Sequence, residues 1–107
     1  MTTKTKKQPF PLGQLVATGA IGILMMDNQE FNDFLQDSLD RYVNCDWGDC
    51  CEGDTGSNDE ALELGNRILA VYNLPDSLKS VSEHDSAVWC ITESDRSVTT
   101  LLWPSEY

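Results

Sequence analysis

Positive charge is what this sequence has least of. Seven Lys and Arg stand against 18 Asp and Glu in 107 residues, a formal net charge of −11. Three of the seven bases, Lys4, Lys6 and Lys7, fall in the first seven residues, so from Gln8 onward 18 acids face four bases. A surface of that sign repels nucleic acid and anionic membranes and attracts basic proteins at long range. Direct nucleic-acid binding and membrane association are therefore not expected.

Histidine is nearly missing too. The single one, His84, sits between Glu83 and Asp85 in a polar stretch with no signalled Ser or Cys partner. That leaves only a pairing with a remote cysteine for nucleophilic catalysis. The four cysteines, Cys45, Cys50, Cys51 and Cys90, have a C-x4-C-C spacing and no second paired motif. A zinc module needs a second ligand pair beside its first, and none follows here, so no metal site is expected. With nothing pointing to an oxidising compartment, reduced thiols are the default. The acidic loop Asp46–Asp54 lacks the alternating register of a calcium loop, no Gly-rich phosphate loop follows a strand, and no cofactor signature is present. No catalytic site emerges.

Long apolar runs are also absent. Leu15–Met26 (LVATGAIGILMM) is far too short to span a bilayer. A Pro9–Pro11 spacer separates it from the lysines, and no small-residue cleavage site follows, so it does not read as a signal peptide and the expected location is cytoplasmic.

What is present suits one domain with an ordinary core: 40% of residues are hydrophobic, with three each of Trp, Tyr and Phe. Residues 1–9 read as a disordered lead, and 10–107 as a single acidic α+β domain. Leu12–Thr18 suits a short strand, and Ile21, Leu24 and Met25 a helical turn interrupted by glycines. Asn28 is a good N-cap for a helix running to about Asn44, with Phe31, Leu35, Leu39 and Tyr42 on one face. A loop is expected over Cys45–Asn58. A second helix is expected from about Asp59 to Tyr72, entered through Ser57 and Glu60 at capping-box spacing. After a polar loop, Ala87–Thr92 and Ser97–Trp103 are rich in β-branched and aromatic residues and read as a hairpin. The expected architecture is α+β: a small antiparallel sheet of the N-terminal strand plus the C-terminal hairpin, packed against two main helices.

The acids are not scattered. Between Asp27 and Glu63 there are twelve acids and one base, Arg41. Glu30, Asp33, Asp37 and Asp40 recur at spacings of three, four and three, placing them within an arc of about 80° opposite the apolar face. Four carboxylates at that spacing set one charge every ~5 Å along a helix, against one phosphate every ~3.4 Å along a duplex strand. Continued by Asp46, Asp49, Glu52, Asp54, Asp59 and Glu60, such a row can occupy a basic groove meant for nucleic acid. It is equally compatible with a solvated helix face. Trp47, flanked by Asp46 and Asp49, is either an exposed interface anchor or a cap folded onto the core.

The chain resembles a family of small proteins carried on plasmids, phages and other mobile elements, some labelled "plasmid-related protein" or "type I restriction endonuclease subunit M". The resemblance rests on Pro11–Thr18 (PLGQLVAT), Asp46–Asp49 (DWGD), Asn58–Leu62 (NDEAL), Ile91–Thr100 (ITESDRSVTT) and Pro104–Tyr107 (PSEY). It departs from the family pattern at Cys50-Cys51 and in the polar stretch before Trp89. The methyltransferase-like label does not fit, because 107 residues hold no cofactor-binding unit. What the resemblance implies is a setting in a bacterial host where small acidic proteins act as anti-CRISPR or anti-restriction inhibitors. The expected partner is then a basic nucleic-acid-binding protein, such as a CRISPR effector or restriction enzyme. The expected contacts are Glu30, Asp33, Asp37, Asp40, Asp46, Trp47, Asp49, Glu52 and Asp54. Two other functions stay open: an accessory module binding a protein through apolar surface around Trp47, and a small enzyme using Cys50 or Cys51 with His84.

Overall fold

The structure, a computed structural model, describes residues 10–49 and 52–107, with the backbone alone for 52–57. The expected disordered lead over residues 1–9 lies outside the described residues, as do Cys50 and Cys51. In chain order come β1 (Gln14–Ala17), α1 (Gly19–Asp27), α2 (Gln29–Val43), α3 (Glu52–Leu64), β2 (Ile68–Asn73), β3 (Ala87–Thr92) and β4 (Val98–Leu102). Short 3₁₀ turns occupy Asp76–Val81 and Pro104–Glu106. The fold is α+β, a small sheet packed against helices.

Helix α2 begins where its sequence says it should. The Asn28 side chain accepts the Phe31 N–H at 3.0 Å, satisfying one of the orphan donors of the first turn. Its far end closes with the Asp46 N–H on the Arg41 carbonyl at 2.9 Å. Cys45 takes the left-handed position (φ 63°) usually given to glycine at such a stop. Phe31, Leu35 and Tyr42 turn inward and are fully buried.

Two sequence expectations change here. Helix α3 starts at Glu52, inside the expected loop, so Ser57 and Glu60 lie within the helix rather than capping it. The helix then stops early. Gly65 is left-handed (φ 75°), and the Asn66 N–H reaches back to the Ala61 carbonyl at 2.9 Å, a Schellman closure. The segment from Ile68 onward, expected as the second half of a helix, is strand β2. Its Ile68, Ala70 and Tyr72 are buried in strict alternation, the period of a strand.

The sheet order is β1-β4-β3-β2. β2 pairs antiparallel with β3, from Ile68 opposite Thr92 to Asn73 opposite Ala87, and β3 pairs antiparallel with β4. β1 pairs parallel with β4, from Gln14 beside Val98 to Ala17 beside Leu101. The sheet is thus mixed, with one more strand than the sequence suggests. It is parallel at β1 because α1 and α2 lead the chain away before it returns.

The inner sheet face (Ile68, Ala70, Tyr72, Val88, Cys90, Leu101) joins Ile21, Phe31, Leu35, Tyr42, Trp47 and Ala61 from the helices and loop in one core. A hydrogen-bonded chain crosses it. Tyr42 Oη lies 2.6 Å from Thr92 Oγ1, which lies 2.7 Å from Thr99 Oγ1, which donates to the Leu12 carbonyl at 2.7 Å. A carbonyl only accepts, so the single Thr99 proton is committed to Leu12. Thr92 must then donate to Thr99, and Tyr42 to Thr92. All proton positions in the relay follow from that one carbonyl.

The two sheet edges differ. On β2 the outward backbone groups are occupied. The Asn58 amide donates to the Leu69 carbonyl (2.6 Å) and accepts the Leu69 N–H (3.1 Å). The Val71 N–H donates to the Trp47 carbonyl, the Val71 carbonyl accepts the Asp49 N–H, and the Asn73 N–H donates to the Asp49 carboxylate at 2.8 Å. The chain passes this edge at Gly48 (φ 77°), where an added Cβ would lie 2.0 Å from the Val71 oxygen. On β1, alternation points the Leu15 and Ala17 amides away from β4, and no described residue covers that side.

Candidate functional site

Helix α2 presents Glu30, Asp33, Asp37 and Asp40 to solvent, all exposed, on the side away from Phe31, Leu35 and Tyr42. The arrangement follows from the 3.6-residue period, so burial of the apolar face dictates display of the acidic one. Over 15 residues the helix is about 22 Å long. The charges on its face are supported but not neutralised where their partners are described. Asp33 accepts from the neutral Gln29 amide at 2.9 Å, and Glu30 accepts from the Ser77 hydroxyl.

The loop acids have structural duties. Asp46 receives Arg41 in a two-pronged contact (2.9 and 3.2 Å) and accepts the Gly48 N–H. The Arg41 hydrogen bond holds its carboxyl below the usual Asp range. Asp49 caps the β2 edge. Glu52 and Asp54 belong to the first turns of α3, where only backbone is described. Asp59 accepts the Trp47 indole N–H at 2.8 Å.

Trp47 is not an exposed anchor. It is 2% exposed, stands edge-on to Tyr42 at 5.5 Å between ring centroids, and packs on Phe10 at 6.0 Å. The ring folds inward because Asp59, twelve residues away, supplies the acceptor a buried indole requires. An apolar docking surface centred on Trp47 is therefore absent from this structure.

The bases are all turned to internal work among the described residues. Arg41 also lies over the Tyr72 ring. Lys79 is 3.7 Å from Asp76. Arg96 donates to the carbonyls of Asn66, Glu93 and Ala61. Arg67 lies over Tyr107 and bonds its hydroxyl. None of the four is spent on Glu30, Asp33 or Asp37.

Among the described residues, which leave out Cys50 and Cys51, the candidate chemistry residues do not assemble into a centre. His84 is exposed, with its backbone N–H on Ser82. Cys90 is fully buried in β3 beside Tyr42, and burial pushes both the thiol and the phenol well up, so neither is ionised at neutral pH. Burial also raises the Cys45 thiol. A raised thiol carries little of the thiolate that nucleophilic attack or metal ligation needs. Among the described residues no three His, Cys, Asp or Glu side chains converge to hold a metal ion, and no helix is long and apolar enough to cross a membrane. Comparison with family models, with curated proteins and with solved structures gave no match.

Proposed function

We propose that this protein is a counter-defence inhibitor that blocks the nucleic-acid groove of a bacterial immune effector, a CRISPR effector or restriction enzyme, with its acidic surface. The observation that carries the reading is the α2 row. Glu30, Asp33, Asp37 and Asp40 stand exposed at one carboxylate per helical turn, and the described contacts of the bases do not include Glu30, Asp33 or Asp37. A rigid helix holds these charges at fixed spacing, so an arginine-lined groove meets them without an ordering cost in the inhibitor. Once seated, the remaining acids repel the natural ligand. Asp46 and Asp49, tied into the fold, position the loop beside the helix end rather than supply free charge.

The test is capture of a candidate effector at low salt followed by salt titration. Complex formation that weakens steadily with added NaCl supports the reading, and no salt-sensitive complex with any such nuclease ends it. Replacing Asp33 and Asp37 by Lys reverses two exposed charges. With about 1 kcal/mol at stake per reversed contact, affinity should fall tenfold or more while the melting temperature stays nearly unchanged.

A further inference from the structure

We infer that β1 pairs with β1 of a second copy of this chain, joining two sheets across a two-fold axis. The two sheet edges carry opposite instructions. The β2 edge is sealed group by group by the Asn58 amide, the Trp47–Asp49 backbone and the Asp49 carboxylate. The β1 edge has none of the usual guards: Gln14-Leu15-Val16-Ala17 holds no charge, no proline and no bulge, the features that keep exposed edges from pairing.

Charge distribution selects the occupant. Phe10–Met26 is a run of 17 residues without one charged side chain, in a chain of net charge −11. Over the described residues two identical acidic molecules repel across most of their surface, and this stretch is where they can touch without bringing carboxylates together. Among the described residues it also holds three of the five exposed large hydrophobics: Leu15 (47%), Ile23 (63%) and Met26 (87%). Helix α1 is apolar on all sides, yet only Ile21 is buried. Gly19, Gly22, Ile23 and Met26 share its outer face, and nothing lies within 4 Å of a Cβ at either glycine. An all-apolar helix belongs under cover, and the protein's own described residues cover only the side that carries Ile21, Leu24 and Met25.

A strand edge is self-complementary under a two-fold axis. With the axis at Val16, Leu15 of one copy stands opposite Ala17 of the other. Each such pair exchanges two hydrogen bonds, so the edge forms four. The contact leaves the α2 acids unused and stands independently of the proposed inhibitor role.

Sedimentation velocity on the intact chain, from roughly 10 μM to 1 mM, should show monomer converting to dimer. Added NaCl should strengthen the dimer by screening mutual repulsion, the reverse of its effect on an effector complex. Hydrogen exchange on the same samples should show the Leu15 and Ala17 amides gaining protection with concentration. Ala17→Pro removes an outward donor that the chain's own sheet does not use, and it should leave a folded monomer. Should that variant fail to fold, amide exchange in the unaltered chain decides alone. A chain that stays monomeric at the highest concentration overturns the inference. So does a dimer whose Leu15 and Ala17 amides stay unprotected, or protection that arises only when another protein is added.

Discussion

The buried relay Tyr42–Thr92–Thr99–Leu12 makes a prediction about sign as well as size. Tyr42→Phe removes the first donor and leaves one Thr92 lone pair unused, while the Thr92 proton stays on Thr99. That is the loss of one ordinary hydrogen bond, about 1 kcal/mol. Thr92→Val keeps the shape of the side chain but strands the Tyr42 hydroxyl, whose remaining neighbour is the weakly accepting sulfur of Cys90. An orphaned buried donor adds its desolvation penalty, so about 2–3 kcal/mol is expected. In the double variant the stranded hydroxyl is gone. Tyr42→Phe, destabilising alone, should therefore stabilise the Thr92→Val protein by about 1 kcal/mol. Urea unfolding of the four proteins closes the cycle, and thermal melts should show shifts of about 4–8 °C per kcal/mol for a domain near this size. Additive destabilisation in the double variant would refute the proton order deduced from the Leu12 carbonyl.

Three further outcomes are expected. Gly48→Ala places a methyl group in a left-handed position and against the Val71 oxygen, and should cost at least about 3 kcal/mol in urea unfolding. Asn58→Ala removes both bonds to the Leu69 peptide, costing about 2–3 kcal/mol. It also uncovers the second sheet edge, so light scattering should rise with concentration to species larger than the unaltered chain forms. Arg41 holds the Asp46 carboxyl below its unfolded value, so this contribution is complete above about pH 4 and disappears as pH falls through the lowered folded value. Both partners are about half exposed, so Asp46→Asn should cost less than about 1 kcal/mol at pH 7. The gap between the urea midpoints of the two proteins should narrow as pH falls below about 4.

Much of the fold is legible locally. The β3–β4 hairpin and α2 follow from β-branched runs, a cap residue and a clean period, because each is specified by residues close together in the chain. β2 is not legible in the same way. Ile68, Leu69 and Tyr72 satisfy a helical spacing while Ile68, Ala70 and Tyr72 satisfy a strand alternation, and a short apolar run cannot separate the two. The deciding signal is Gly65, whose left-handed backbone ends α3, followed by the β-branched Ile68 and Val71. The parallel placement of β1 depends on β4 and has no local signature. In the candidate site, exposure of the α2 acids follows from periodicity. The inward turn of Trp47 depends on an acceptor at Asp59, in an element that sequence alone starts seven residues too late.

The pairing of Gln14 with Val98 has a consequence for synthesis. β1 leaves the ribosome first, but its neighbour in the sheet is translated 84 residues later. At about 5–20 residues per second, the nascent chain carries an unpaired, uncharged strand for roughly 4–17 s. Closing so large a loop also makes this contact a late one. During that interval the acids of α2 and α3, made in between, give neighbouring nascent chains a like charge that opposes their contact. The acidity that dominates this sequence then serves the molecule before it has a finished surface to bind anything with.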